Sequence, residues 1–197
     1  AVVVSPGSRS TPLAMAAYEL SCRRPDDLRV HIDVDERGAA FFGLGLAKAS
    51  GRPVALVCTS GTATANYYPA VIEAETSRVP LVVLTGDRPP RLQGLGAPQT
   101  TDQLKLYGDH VRAFRSMPLP SADARSLAFV RQAAREAVLS AMGAAAVGSR
   151  AATVGSRAAV GSVCADAAHA AAASSDPQVA SRACERMAGP VHLNFPF

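Results

Sequence analysis

Four apolar runs punctuate the first half of the chain: Val2 to Val4, Arg29 to Val34, Val54 to Cys58 and Pro80 to Gly86. The first three each end in a polar cluster that opens an amphipathic stretch. Short Val- and Ile-rich runs alternating with helical patterns read as buried parallel strands in βαβ units. The helices predicted between them run from about Pro12 to Cys22, from Glu36 to Ala49, and from the Thr59-Ser60-Gly61-Thr62 turn to Glu75. Thr11 is the expected cap of the first helix, with Pro12 at the first helical position, where its fixed φ and missing N–H are tolerated.

After the fourth run, Pro89 and Pro90 forbid an immediate helix, so residues 87–100 are expected as a loop. A short helix over Asp102 to Gly108, a fifth strand over Val111 to Met117, a long helix over Ala122 to Met142 and a last strand over Pro190 to Phe195 complete the pattern. The fold class is therefore α/β. In such sheets ligands bind beyond the carboxyl ends of the strands, which is where Glu36 and the Thr59–Thr62 turn fall. Gly38, Gly43 and Gly45 weaken the second helix, so a closely packed neighbour or ligand is expected against it.

Composition narrows this picture only a little. The 197 residues suit one domain, and a hydrophobic fraction of 48% with 18% charged residues is globular. No apolar run approaches the roughly 20 residues of a membrane span, and the expected compartment is the cytoplasm. Ala1 to Val4 reads as a strand entered partway, so upstream sequence is expected. The charge of +4 is scattered and aromatics are 5%, which argues against nucleic acid and for small anionic ligands. Cys22, Cys58, Cys164 and Cys184 lack close pairing, and are read as buried free thiols. Two readings of Gly7 to Thr11 stay open: a capped strand-to-helix turn, or an anion site with two hydroxyls and Arg9.

Between 143 and 188 the composition shifts to Ala, Gly and Ser. Val147-Gly148-Ser149-Arg150-Ala151-Ala152 recurs as Val154-Gly155-Ser156-Arg157-Ala158-Ala159, and Val160-Gly161-Ser162 starts a third copy. That is too few units for a solenoid, and an expanded surface insertion is expected.

Six stretches carry a resemblance through their joint order: Gly7 to Leu13, Asp35-Glu36-Arg37-Gly38, Thr59 to Ala63, Thr85 to Pro90, Gly96-Ala97-Pro98-Gln99 and Gly189 to Phe197. Together they resemble the N-terminal pyrimidine-binding domain of thiamine-diphosphate enzymes, and within them the 2-succinyl-5-enolpyruvyl-6-hydroxy-3-cyclohexene-1-carboxylate synthases of menaquinone biosynthesis. The resemblance covers 1–142 and 189–197. It implies a three-layer α/β/α domain over 1–197 with a mostly parallel six-stranded sheet. Glu36 then corresponds to the carboxylate that shares a proton with the pyrimidine nitrogen of thiamine diphosphate. Thr59, Ser60, Gly61 and Thr62 lie along the pyrimidine, and Ser8, Arg9, Arg88 and Gln99 hold isochorismate, whose two carboxylates suit arginine forks.

The resemblance further implies 2-oxoglutarate as the decarboxylated substrate and a magnesium ion on the cofactor's diphosphate. Diphosphate and metal belong to another domain; the nearest match to its Gly-Asp-Gly here is Gly86-Asp87-Arg88. The site then forms against the diphosphate domain of a partner subunit in a dimer or tetramer, and this chain alone is expected to be silent. Pro98 stands where the relatives carry Asn. The alternatives are a related carboligase with another acceptor, which Arg9, Arg88 and Gln99 argue against, and a binding module without catalysis. Against the latter stands Glu36, since a buried carboxylate without a partner costs stability.

Overall fold

The computed structural model describes residues 1–143 and 188–197; the expected insertion and Cys164 and Cys184 lie outside them. Six strands, β1 (Val2–Val4), β2 (Val30–Ile32), β3 (Val54–Cys58), β4 (Leu81–Asp87), β5 (Phe114–Ser116) and β6 (Val191–Pro196), form one sheet in the order β2-β1-β3-β4-β6-β5. Every neighbouring pair is parallel. The helices are α1 (Thr11–Arg23), α2 (Glu36–Ser50), α3 (Thr62–Asn66), α4 (Tyr68–Thr76) and α5 (Ala124–Ala141).

Period-2 alternation sorts the strand residues between two cores. Val3, Leu56, Leu81 and Val83 pack with Leu44 of α2, Tyr67 and Val71. On the opposite face Val2, Val4 and Val57 meet Leu13, Ala14 and Ala17 of α1, while Val82, Val191 and Leu193 meet Ala133, Ala137 and Ala141 of α5. The result is three layers with the sheet in the middle. Gly43 explains how α2 comes so close: a Cβ there would sit 2.4 Å from Leu56 Cδ2. Gly45 has no such neighbour within 4 Å, so close packing accounts for one of these helix glycines and not the other.

Three expectations about elements are corrected. The helix expected to run unbroken to Glu75 divides at Tyr67, because Pro69 opens α4 and has no N–H for a continuous helix. The helix expected over Asp102 to Gly108 is a series of turns with Lys105 and Gly108 at positive φ, leading into a single 3-10 turn, Gly108–His110. The cap of α1 is Ser10 and not Thr11, with a 3-10 turn, Ser8–Ser10, before it. No described helix is long and apolar enough to cross a membrane.

Chain order sets the functional geography. From β1 the chain moves to β2 at one edge, then returns to place β3 on the other side of β1. The connections after β1 and β3 therefore diverge, opening the crevice in which α/β sheets bind ligands.

Candidate functional site

Gly7 follows β1 and Thr59 follows β3, and the two meet at this switch point. A Cβ on Gly7 would lie 2.4 Å from Thr59 Cβ, so only glycine lets the two loops close. Thr59 is 6% exposed, and its Oγ1 is buried with no hydrogen-bond partner among the described residues. Such orphaned buried oxygens are rare in proteins. The turn continues through buried Ser60 and Gly61 to exposed Thr62. Gly61 has φ +78, and a Cβ there would press on the backbone of Gln99 at 3.2 Å. Ser60 Oγ donates to the Gln99 carbonyl at 2.8 Å, and Gln99 itself sits at φ 52.

Glu36 is the first residue of α2, beyond the end of β2. Asp35 caps that helix, its Oδ1 accepting from the N–H groups of Arg37 at 2.9 Å and Gly38 at 3.2 Å. Glu36 is half-buried and has no hydrogen bond or ion pair among the described residues. Its charge is felt at the end of β3. Burial first, opposed by the Thr64 hydrogen bond and reinforced by the Glu36 carboxylate, leaves the Cys58 thiol pushed up to about 12. Burial first, with the Cys58 and Glu36 charges behind it, raises the Tyr67 phenol as well. The floor near Glu36 is thus neutral and dry. Tyr67 spends its hydroxyl proton on the Val57 carbonyl at 2.9 Å and lies 3.2 Å from Ser5 Oγ.

The cluster Gly7 to Thr11 is not an open anion cradle. Ser10 Oγ and Thr11 Oγ1 both turn back to the Gly7 carbonyl, at 3.0 and 3.4 Å. Arg9 donates to the Phe197 carbonyl at 2.9 Å, and its own backbone lies against Gly86, where a Cβ would come within 2.8 Å of the Arg9 carbonyl. Ser8 remains exposed. Arg88 donates through Nε and Nη2 to the Pro98 carbonyl at 3.1 and 2.8 Å. Pro98 therefore anchors the loop by its carbonyl, which a proline retains. Neither Arg9 nor Arg88 has an acidic partner among the described residues, so both keep charge for an anion.

Six side chains to which the sequence assigned no role at the site tie these loops together: Asp87, Gln93, Asn194, Thr85, Gln103 and His192. Asp87, at the end of β4 and 4% exposed, is a pure acceptor when ionised. Its Oδ1 takes the Arg88 N–H at 2.7 Å and Gln93 Nε2 at 3.1 Å, and its Oδ2 takes Asn194 Nδ2 at 2.7 Å. That contact orients the Asn194 amide. Asn194 Oδ1 then accepts from Thr85 Oγ1 at 2.7 Å and from Gln103 Nε2 at 2.9 Å. With the Thr85 proton committed, His192 must supply the hydrogen in its 2.8 Å contact with Thr85 Oγ1, which fixes the Nε2–H tautomer and leaves Nδ1 bare. Burial holds the His192 pKa down at about 3. The signal for Asn194 and His192 is their spacing in β6: two polar residues at alternate positions of a buried strand share one face.

Beside this network the ends of β4, β5 and β6 open onto a cavity of about 750 Å³, lined by Asp87, Arg88, Gln93, Gln103, Met117 and Asn194 among others. Cys58 is buried, whereas Cys22 is exposed on α1, which corrects the expectation that it is buried.

Residues 1–106, more than half of the chain, match the family described as "Thiamine pyrophosphate enzyme, N-terminal TPP binding domain". Proteins named 2-succinyl-5-enolpyruvyl-6-hydroxy-3-cyclohexene-1-carboxylate synthase are similar to it. The one from Oceanobacillus iheyensis is 57% identical over 136 residues, 69% of this chain and 23% of the relative. The one from Geobacillus kaustophilus is 58% identical over 142 residues, 72% of this chain and 24% of the relative. That from Halorubrum lacusprofundi is 55% identical over 144 residues, 73% of this chain and 22% of the relative. The chain thus matches less than a quarter of the length of these curated relatives. Its all-parallel sheet and the match across the first four strands make it a member of the thiamine pyrophosphate enzyme family, as the N-terminal TPP-binding domain.

Proposed function

We propose that the chain is the pyrimidine-binding part of a 2-succinyl-5-enolpyruvyl-6-hydroxy-3-cyclohexene-1-carboxylate synthase, a cytoplasmic enzyme of menaquinone biosynthesis. The observation that carries this reading is the meeting of the Thr59–Gly61 turn with Gly7 and with the Gln99 loop at one switch point, with the Glu36 charge felt at Cys58 at the end of β3, in a chain 54% to 58% identical over its matched part to proteins of that name.

The residues present fit the cofactor. Thr59 Oγ1 is a buried oxygen with hydrogen-bonding capacity left over, and Glu36 is a carboxylate at a strand end with no partner among the described residues. Glu36 would hold a proton in common with the pyrimidine ring nitrogen, and Thr59, Ser60, Gly61 and Thr62 would flank that ring. When bound, thiamine diphosphate supplies the nucleophilic carbon that decarboxylates a 2-oxo acid, here 2-oxoglutarate, and passes the remaining unit to an acceptor. Ser8, Arg9, Arg88 and Gln99 would orient isochorismate, the arginines meeting its carboxylates. Diphosphate and magnesium fall to another domain, from a partner subunit in a homodimer or tetramer, so this chain alone is expected to be silent.

The test uses the full-length enzyme with thiamine diphosphate, magnesium and 2-oxoglutarate, following the loss of isochorismate absorbance. The wild type should consume isochorismate, and Glu36→Gln should lose about 100-fold or more in rate, as expected for loss of a positioned proton-transfer group. Carbon dioxide released from a 2-oxo acid with isochorismate left untouched would assign a different acceptor. Neither reaction would leave a binding module.

A further inference from the structure

We propose that Gln103 is a positioning residue that locks the Thr59–Thr62 turn to the Gln99 loop and to the end of the sheet; this rests on the reading above. Gln103 is 1% exposed and lies in an irregular segment just before the turns of 104–107, with no regular element to hold it in place. Its side-chain amide is satisfied on both sides. Oε1 accepts the Gly61 N–H at 2.8 Å, and Nε2 donates to the Gly86 carbonyl at 3.1 Å and to Asn194 Oδ1 at 2.9 Å.

Each of those partners belongs to a different part of the site. Gly61 carries the positive φ of the turn and packs on the backbone of Gln99, while Ser60 Oγ holds the Gln99 carbonyl. Gly86 is the close-approach point for the Arg9 backbone. Asn194 is oriented by Asp87, whose Oδ1 also fixes the Arg88 N–H. One amide thus joins the turn and the Gln99 loop to the ends of β4 and β6, where Arg88 follows Asp87 and the Arg9 backbone packs on Gly86. The Gly61 N–H, the Gly86 carbonyl and the Asn194 oxygen, the last oriented by Asp87, set the direction of the three hydrogen bonds, so no other uncharged side chain of this length presents the same acceptor and donors. Gln103 has no role in the chemistry itself; it sets where Gly61 and Gln99 stand.

The test compares Gln103→Met and Gln103→Glu with the wild type in the full-length enzyme. Gln103→Met keeps the length and removes all three bonds. Its kcat/KM for isochorismate should fall about 10- to 100-fold, the scale of a small misplacement of reacting groups, and hydrogen exchange of peptides covering 59–62 should accelerate. Gln103→Glu supplies a readout that a purely structural role would not move. As a carboxylate it confronts two acceptors, Gly86 O and Asn194 Oδ1, whereas the protonated acid accepts from Gly61 and donates one of the two hydrogen bonds that glutamine donates. Burial raises a carboxyl pKa, so its activity relative to the wild type should recover as pH falls from about 8 to about 6. If Gln103→Met does not fold, Gln103→Glu decides alone. A wild type that ignores isochorismate defeats the underlying reading. A wild type that consumes it, beside a Gln103→Glu ratio flat in pH or a Gln103→Met kcat/KM unchanged, defeats the positioning role alone.

Discussion

Thr59 fills the space that a side chain on Gly7 would need: the missing Cβ would stand 2.4 Å from Thr59 Cβ and 2.7 Å from its Cγ2. The turn after β1 and the turn after β3 are therefore fitted to one another, and the switch point closes only with glycine at 7. Gly7→Ala should destabilise this chain by about 1–3 kcal/mol, the usual cost of overpacking. Thr59→Gly in the same chain removes the obstructing atoms and should recover a large part of that loss. Urea unfolding of the two single variants and the double variant measures the coupling; strictly additive effects would contradict the packing argument.

Much of this architecture is legible in local pattern, and the reasons differ from element to element. Val54–Cys58 is a strand over the expected residues because its apolar run is short, β-branched and buried, and Pro53 and Thr59 bound it. The regions that misled have backbone features that hydrophobic periodicity does not encode. Lys105 and Gly108 at positive φ turn what reads as a helix into turns, and Pro69 restarts a helix inside a continuous apolar pattern. The placement of Glu36, Thr59 and Gln99 at one end of the sheet was readable because strand ends gather loops. The Asp87–Asn194–Gln103 network was not, since its members lie 91 and 107 residues apart, and the polar spacing of His192 and Asn194 in β6 marks a shared face without naming the partners across the sheet.

Asn194 donates to Asp87 at 2.7 Å in a buried setting, so replacing that donor by an acid should be costly in a pH-dependent way. Asn194→Asp sets two carboxyl groups against each other, and one must hold a proton at neutral pH. Its folded pKa is then raised above the unfolded value, so stability is retained at acid pH and lost as pH rises. The variant should be destabilised by about 3–5 kcal/mol at pH 7, the scale for an uncompensated buried charge. Relative to wild type, that deficit should shrink near pH 4. A deficit independent of pH would show that the contact with Asp87 is not what makes the change costly.

His192 should make the chain acid-sensitive. It is 0% exposed, and burial depresses its pKa from the usual 6.5 to about 3. Below about pH 6.5 the unfolded chain binds a proton that the folded chain refuses, so stability falls as pH falls through that window and is full above it. One proton corresponds to a slope approaching about 1.4 kcal/mol per pH unit. Unfolding free energies between pH 4 and pH 8 should show this slope, and His192→Gln should remove one proton's share of it. An unchanged slope in the variant would assign the acid sensitivity to other groups.

Asp35 holds the first turn of α2, and with it the position of Glu36. Two N–H groups, of Arg37 and Gly38, depend on one Asp35 oxygen. Asp35→Ala should cost about 0.5–2 kcal/mol of stability, as loss of a helix N-cap does. In the full-length enzyme the same change should also weaken thiamine diphosphate binding, because the freed turn no longer fixes the Glu36 carboxyl. Asp35→Asn retains the accepting oxygen and should retain both properties. Isothermal titration of the cofactor separates the two cases, and equal losses in Asp35→Asn and Asp35→Ala would remove capping as the cause.

The two described cysteines should differ sharply in reactivity, and the difference reports on the floor beneath Glu36. The thiolate is the reactive form. Cys58 is 0% exposed, and its thiol is pushed up to about 12 by burial first, with the Glu36 charge adding to it, so almost none is ionised at pH 8. Cys22 is exposed on α1, open to reagent. Iodoacetamide on the folded chain should label Cys22 within minutes and leave Cys58 unmodified until denaturant is added, as read by peptide mass mapping. Because Glu36 is one cause of the Cys58 shift, Glu36→Gln should ease ionisation of Cys58 without exposing it. Slow labelling of Cys58 at high pH should therefore be faster in Glu36→Gln than in the wild type at equal stability. Equal rates would place the Glu36 carboxylate too far from the end of β3 to contribute to a shared, dry site.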